Sequence, residues 1–176
     1  MNESGVTVSN RNGAIHGNGA VSLNVASLDN TSGKIGNDAG GGGSIAISAG
    51  SLLNQGGAIG SDQNLSIATN QLTGDGSIVA GNDGAVTING GYTNGAANQI
   101  HANHDLTFAT TGNFTNRGTL AAVNALTVNA ANVDNQAGAD LNSTSTTVNA
   151  SQAITNEGRL EGDSLATSSA ALTNTG

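Results

Sequence analysis

Apolar residues in this chain come in short runs at intervals of two, and the runs return about every 20 residues. Such alternation puts one set of side chains inside a sheet and the other outside, and it is the pattern of a half-buried strand rather than a helix. Aligning the runs gives an inner column of Val21, Ile45, Leu65, Val86, Leu106, Leu126, Thr146 and Leu165. Two residues on lies a second column, Leu23, Ile47, Ile67, Ile88, Phe108, Val128, Val148 and Thr167. A third contains Leu28, Leu52, Leu72, Tyr92, Phe114, Val133, Ile154 and Leu172, and a fourth Ile15, Ile35, Ile59, Ile78, Ile100, Leu120, Leu141 and Leu160. Between the first two columns, facing out, fall Ser22, Ala46, Ser66, Thr87, Thr107, Thr127, Thr147 and Ala166. Successive starts are 24, 20, 21, 20, 20, 20 and 19 residues apart, which is a solenoid period.

Each copy therefore supplies short strands joined by turns, with like strands of successive copies side by side. The predicted fold is all-β, a right-handed parallel β-helix (β-solenoid) of about 20 residues per rung. Its hand follows from the general preference of parallel crossovers. At about 3.3 Å per residue a rung has a perimeter of about 65 Å, enough for three sides, and about eight rungs make a rod roughly 40 Å long. Residues 1–176 are expected to form a single β-helix segment, with full rungs over 21–164 and partial rungs at 6–20 and 165–176. The glycine run at residues 40–43 reads as a bulged corner. The partial rungs leave strand edges unpaired, so end-to-end self-association is expected.

One polar column runs beside the apolar ones: Asn10, Asn30, Asn54, Asn94, Asn116, Asn135, Asn156 and Asn174. A side-chain amide stacked on an identical amide one rung away donates on one side and accepts on the other, so these residues are expected to form a structural ladder. The third copy, from Leu65, has Gly74 where Asn is expected. Gly13, Gly33, Gly57, Gly118, Gly138 and Gly158 mark the corner before the last inner residue.

Composition fits order by repetition rather than a bulky globular core. The chain has 27 Gly, two Phe, one Tyr and no Trp, Pro or Cys, so neither a disulfide framework nor thiolate chemistry exists. A formal net charge of -8, with four basic residues, gives no footprint for nucleic acid or anionic lipid. No apolar run approaches the roughly 20 residues of a membrane span. The start, Met1-Asn2-Glu3, resembles neither a signal nor a transit peptide, and the chain reads as an interior piece.

Candidate chemistry is sparse, and no catalytic, cofactor or metal residue is assigned. His101 and His104, with Asp105, are the only histidine pair, but zinc needs three or four convergent ligands, and surface histidines are the expected reading. Residues 81–86 hold one approximate calcium nonapeptide where tandem copies are needed. A carbohydrate-active β-helix would need clustered carboxylates at a groove, and no acid column runs over adjacent rungs. The column Thr87, Thr107, Thr127 and Thr147 suggests an ice-binding face, for which a second threonine column is missing.

The repeated unit L/I-x-N-x-G-x-I/L is carried by residues 154–160 (Ile154, Asn156, Gly158, Leu160), by 114–120 (Phe114, Asn116, Gly118, Leu120) and, with one extra residue, by 52–59. It resembles the filamentous haemagglutinin repeat region of large bacterial exoproteins secreted by the two-partner route. That resemblance covers essentially the whole chain. It implies a right-handed β-helical rod, secreted or at the surface of a Gram-negative cell, with an outer-membrane pore as partner during export. It also implies a parent that is either an adhesin or a contact-dependent growth inhibition effector, meeting host or neighbouring cells through other regions. Neither the family's secretion domain nor a toxin domain is recognisable, so the piece is expected to be shaft. The alternative is a carbohydrate-binding or carbohydrate-active β-helix and, behind it, an ice-binding solenoid.

Overall fold

A computed structural model describes residues 2–37 and 42–176; among them there is no helix, and so none long and apolar enough to cross a membrane. The strands are, in order, β1 (Asn2–Ser9), β2 (Ala14–Gly17), β3 (Val21–Asp29), β4 (Lys34–Asn37), β5 (Ile45–Leu53), β6 (Ala58–Ser61), β7 (Leu65–Thr73), β8 (Ser77–Ala80), β9 (Gly84–Ile88) and β10 (Tyr92–Asn94). They continue as β11 (Gln99–Ala102), β12 (Asp105–Thr110), β13 (Asn113–Asn116), β14 (Thr119–Ala122), β15 (Ala125–Asn135), β16 (Asp140–Asn142), β17 (Ser145–Asn156), β18 (Arg159–Glu161), β19 (Ser164–Ser168) and β20 (Ala171–Asn174). All pairings are parallel and join one copy of the repeat to the next, which makes the chain a β-solenoid of about eight turns.

The turn is three-sided. Long strands such as β3, β5, β7, β15 and β17 cover side one and bend onto side two, and together with β1, β9, β10, β12, β13, β19 and β20 they form a 12-stranded sheet. Side three is an 8-stranded sheet in the order β18-β16-β14-β11-β8-β6-β4-β2. β1 begins at Asn2, four residues before the partial rung expected at 6–20. Of the expected bulge at residues 40–43, Gly40 and Gly41 lie outside the described residues.

Alternation explains which side chains meet. Leu23 pairs with Ile47 and Ile47 with Ile67 on side one, while Ile35, Ile59, Ile78, Ile100 and Leu120 follow one another on side three. Branched aliphatic residues suit such a surface because each packs on its own kind one rung away. A fifth inner column, absent from the sequence reading, stands where side one turns into side two: Val25, Ala49, Thr69, Ile88, Thr110, Ala130 and Ala150, all buried. Most of its members are small, as the crowded bend requires, and small residues carry little hydrophobic signal.

The fourth copy departs from the expected register. Gly84 pairs with Leu65 and with Leu106, so Val86 stands in the second inner column with Ile67 and Phe108, and Ile88 in the fifth with Thr69 and Thr110. A Cβ on Gly84 would lie 2.9 Å from Leu106 Cδ1 and 3.4 Å from the Cβ atoms of Ala80 and Ala102, so neighbouring side chains already fill the place that a fourth-copy apolar residue would take. Thr87 leaves the outward threonine column and joins Ala68 and Ala109, with Ala85 in its stead. The continuous threonine ladder is therefore Thr107, Thr127 and Thr147.

The corner glycines need one correction too. Ala139, not Gly138, holds the position between Gly118 and Gly158, because Asp140 N–H donates to Gly118 O and Arg159 N–H to Ala139 O. Gly76 and Asn98 occupy the same column on the rungs of β8 and β11. Within the core, Tyr92, Phe108 and Phe114 pack together, with ring centroids 4.6 Å apart for the two phenylalanines and 6.3 Å for the stacked Tyr92–Phe114 pair. Leu165 and Leu172, on the last two strands, are 48% and 53% exposed.

Candidate functional site

The axial asparagines are the most regular polar feature. Asn10 Nδ2 donates to Asn30 Oδ1 at 2.7 Å, and Asn30 Nδ2 to Asn54 Oδ1 at 2.8 Å. After a gap the series resumes as Asn94 to Asn116, Asn116 to Asn135, Asn135 to Asn156 and Asn156 to Asn174, each at 2.7–2.8 Å. All of these nitrogens but that of Asn156 also donate to a corner carbonyl of the next rung, for example Asn10 to Lys34 O at 3.0 Å and Asn135 to Arg159 O at 3.0 Å; Asn156 Nδ2 donates to Gly158 O of its own rung. Asn30, Asn54, Asn94, Asn116 and Asn135 are at most 2% exposed, and within each unbroken run, as at Asn30, Asn116 and Asn135, the amide is satisfied on both sides by its own kind rather than by water. Asn174 is exposed.

Corner glycines make room for this ladder. A Cβ on Gly57 would lie 2.2 Å from Asn30 O and 2.4 Å from Asn54 Oδ1. Asn98 and Ala139 carry a Cβ there because their turns, Asn94 to Ile100 and Asn135 to Leu141, are two residues longer than that from Asn116 to Leu120.

A second ladder runs along the corner between sides three and one. Asn64 Oδ1 accepts from Asn82 Nδ2 at 2.9 Å and from Asp83 N–H, Asp83 Oδ1 from His104 Nδ1 at 2.7 Å and from Asp105 N–H, and Asp105 Oδ1 from Asn124 Nδ2 at 2.6 Å and from Ala125 N–H. His104 thus stands where Asn82 and Asn124 stand on neighbouring rungs and donates from Nδ1 as their amides do. The hydrogen bond to Asp83 is the main reason the His104 pKa is raised, with the charge of Asp105 adding to it. The same bond holds Asp83 below the ordinary carboxylate value.

Asp83, His104 and Asp105 bring their ligand atoms within 4.8 Å of one another. The sequence placed His101 with His104 and Asp105; in the structure His101 instead meets Asn103 Oδ1 at 3.0 Å, and Asp83 comes from the preceding rung. Asp83 belongs to residues 81–86, read above as a weak calcium motif. Only the rung offset, which the sequence does not print, brings it to His104. The arrangement is accounted for by the corner ladder, in which the histidine Nδ1 proton and one oxygen of each carboxylate are already engaged.

Elsewhere, Asp29 is held below its ordinary value by the Thr31 hydroxyl and N–H, and Arg11 pairs with it at 2.8 Å. Arg159 pairs with Glu161 and lies 3.6 Å from Asp140. A shallow groove of about 350 Å³ beside the bend is lined by Asn24, Ser48, Ala68, Asn70, Thr87 and Asn89, with no ionisable group. Residues 42–118 and 96–176 both match the haemagglutinin repeat family, and together they take in most of the chain.

This chain belongs to the haemagglutinin repeat family. It is a filamentous haemagglutinin-type repeat region of a two-partner-secretion protein, secreted or at the surface of a Gram-negative bacterium. Among curated proteins it is similar to the tRNA nuclease CdiA-2 of Burkholderia pseudomallei strain 1026b, 40% identical over 111 residues. The aligned stretch is 62% of this chain and spans 4% of the length of that relative. No solved structure matches.

Proposed function

We propose that this haemagglutinin repeat rod is a length of shaft that holds other regions of a long exoprotein away from the cell that makes it. The observation that carries this reading is the repetition of its interior: apolar columns pass from rung to rung, with an asparagine ladder over residues 10–54 and again over 94–174, so length grows by repetition without new chemistry. Among the described residues strand pairing joins each rung to its neighbours, and the chain has no cysteine to cross-link before it is outside. Both features suit a protein that passes an outer-membrane pore partner unfolded and stacks on emergence. The partial likeness to a tRNA nuclease favours presentation of a toxin over adhesion, and contact with the target cell then belongs to other regions of the parent.

The reading is structural rather than enzymatic. Arg159 lies between the carboxylates of Glu161 and Asp140, and the groove beside the bend has no acid or base. The experiment is to delete or duplicate three rungs within the parent exoprotein. Reach measured by electron microscopy should change by about 14 Å at ~4.8 Å per rung, while terminal activities measured on purified protein persist. Binding or cleavage of neutral glycans by the purified rod itself, tested with a panel of them, would favour the carbohydrate-binding alternative.

A further inference from the structure

On side two the ladder is broken at one place. β7 pairs with β5 along its whole length, Leu52 with Leu72 and Leu53 with Thr73 included, but it pairs with the next rung only over Leu65 to Thr69. The side-two strand of that next rung, β10, pairs onward to β13 and is the end of its sheet path. Sides one and three are intact across the same boundary, through β7–β9 and β8–β11.

The polar interior is interrupted at the same boundary. Gly74 replaces the ladder asparagine, its φ is +101°, and a Cβ there would sit 2.5 Å from Gln55 N and 2.6 Å from Asn54 C, so no side chain can fill the position as the backbone stands. Asn54 Nδ2 keeps only its bond to Ser77 O, at 3.2 Å. On the far side, Asn94 Oδ1, which an amide at 74 would have served, is buried without a donor. Asn98 reaches back across the gap to give Gly74 O a hydrogen bond of 3.0 Å and Tyr92 Oη one of 3.2 Å, and its own Oδ1 is also buried without a donor. Two orphaned buried oxygens and a missing strand pairing lie on one side of one rung boundary.

We propose that the rod has a built-in hinge here: side two parts between residues 72–74 and β10, while the strand ladders of sides one and three hold. Opening brings water to Asn94 Oδ1 and Asn98 Oδ1, so exposure relieves the penalty of two orphaned amide oxygens on one side of the seam. The motion has a defined direction, because two continuous sides act as the pivot and the third as the mouth. Asn98 is the latch.

Tyr92 is the only tyrosine and the chain has no tryptophan, so its emission reports on this seam alone. The experiment measures acrylamide quenching of Tyr92 and native-state amide exchange on the full chain, with circular dichroism showing that it stays folded. The fastest amides of 72–74 and β10 are expected to exchange about 100-fold faster than those of 52–54 and 114–116, and Tyr92 to be quenched well below the unfolding transition. Asn98→Ala should raise the quenching constant several-fold. Replacing 73–77 by the sequence of 53–58, which restores the asparagine, should lower it. Exchange at the seam equal to that of the flanking rungs, with Tyr92 shielded until global unfolding, would overturn the hinge, and the wild-type measurement decides this even if either variant fails to fold.

Discussion

The side-chain amide of Asn116 donates to Asn135 Oδ1 at 2.8 Å while its own Oδ1 accepts from Asn94 at 2.7 Å, with all three residues at most 1% exposed. Asn116→Ala removes both bonds and leaves Asn135 Oδ1 buried without a donor. The expected loss is roughly 2–4 kcal/mol. Asn174→Ala, at an exposed position, should cost less than about 0.5 kcal/mol. Urea unfolding of the two variants makes the comparison, and equal small losses would show that the ladder contributes little.

Phe108 and Leu126 are fully buried, while Thr107 and Thr127 beside them face outward. Phe108→Ala and Leu126→Ala are each expected to destabilise the rod by roughly 2–5 kcal/mol, and Thr107→Ala or Thr127→Ala by no more than about 0.5 kcal/mol. Urea midpoints in the reverse order would place the strand register one residue off.

Two nearby glycines should respond with opposite sign. Gly57→Ala drives a Cβ to 2.2 Å from Asn30 O and must force adjacent rungs apart, at roughly 3 kcal/mol or more. Gly60 has no contact nearer than Val79 O at 3.8 Å and an ordinary φ, so Gly60→Ala should leave stability unchanged or raise it by up to about 1 kcal/mol. Thermal melts of the two variants check this.

His104 and Asp83 set a pH window. The folded-state pKa of His104 is raised, so its contribution is complete below its unfolded value and is lost as pH rises through the folded pKa. Asp83 is depressed, so its contribution is present above its unfolded value and is lost as pH falls through the folded pKa. Their pairing is thus strongest between those limits. His104→Asn supplies the amide that Asn82 and Asn124 supply on neighbouring rungs and should abolish the alkaline limb of the window. Stability measured from pH 5 to 9 tests it; an unchanged alkaline limb in the variant would show that the His104–Asp83 bond is not its source.

How much was legible in the sequence depended on whether a column announced itself by bulk. Leu52, Ile154 and Ile100 lie where a period-two reading puts them, because a branched side chain in every copy fixes both face and register. Val86 was misplaced by two residues: Gly84, whose place Leu106 already fills, carries no hydrophobic signal, and Val86-x-Ile88 fits the template at either position. The column of Ala49, Thr69 and Ala130 was missed for a related reason, since small residues at a bend look like surface. Asn98 was invisible because its role depends on a turn two residues longer than its neighbour, and the meeting of Asp83 with His104 depends on the true rung offset.

The central claim, parallel rungs stacked in this register, is tested most directly by one distance. The chain has no cysteine, so spin labels can be placed cleanly at Ser22 and Thr147, outward residues of a single column separated by six rung spacings. At ~4.8 Å per spacing, pulsed electron–electron resonance should give a narrow distribution centred at about 29 Å. A broad distribution, or a narrow one lying more than about 10 Å from that value, would contradict the stacking.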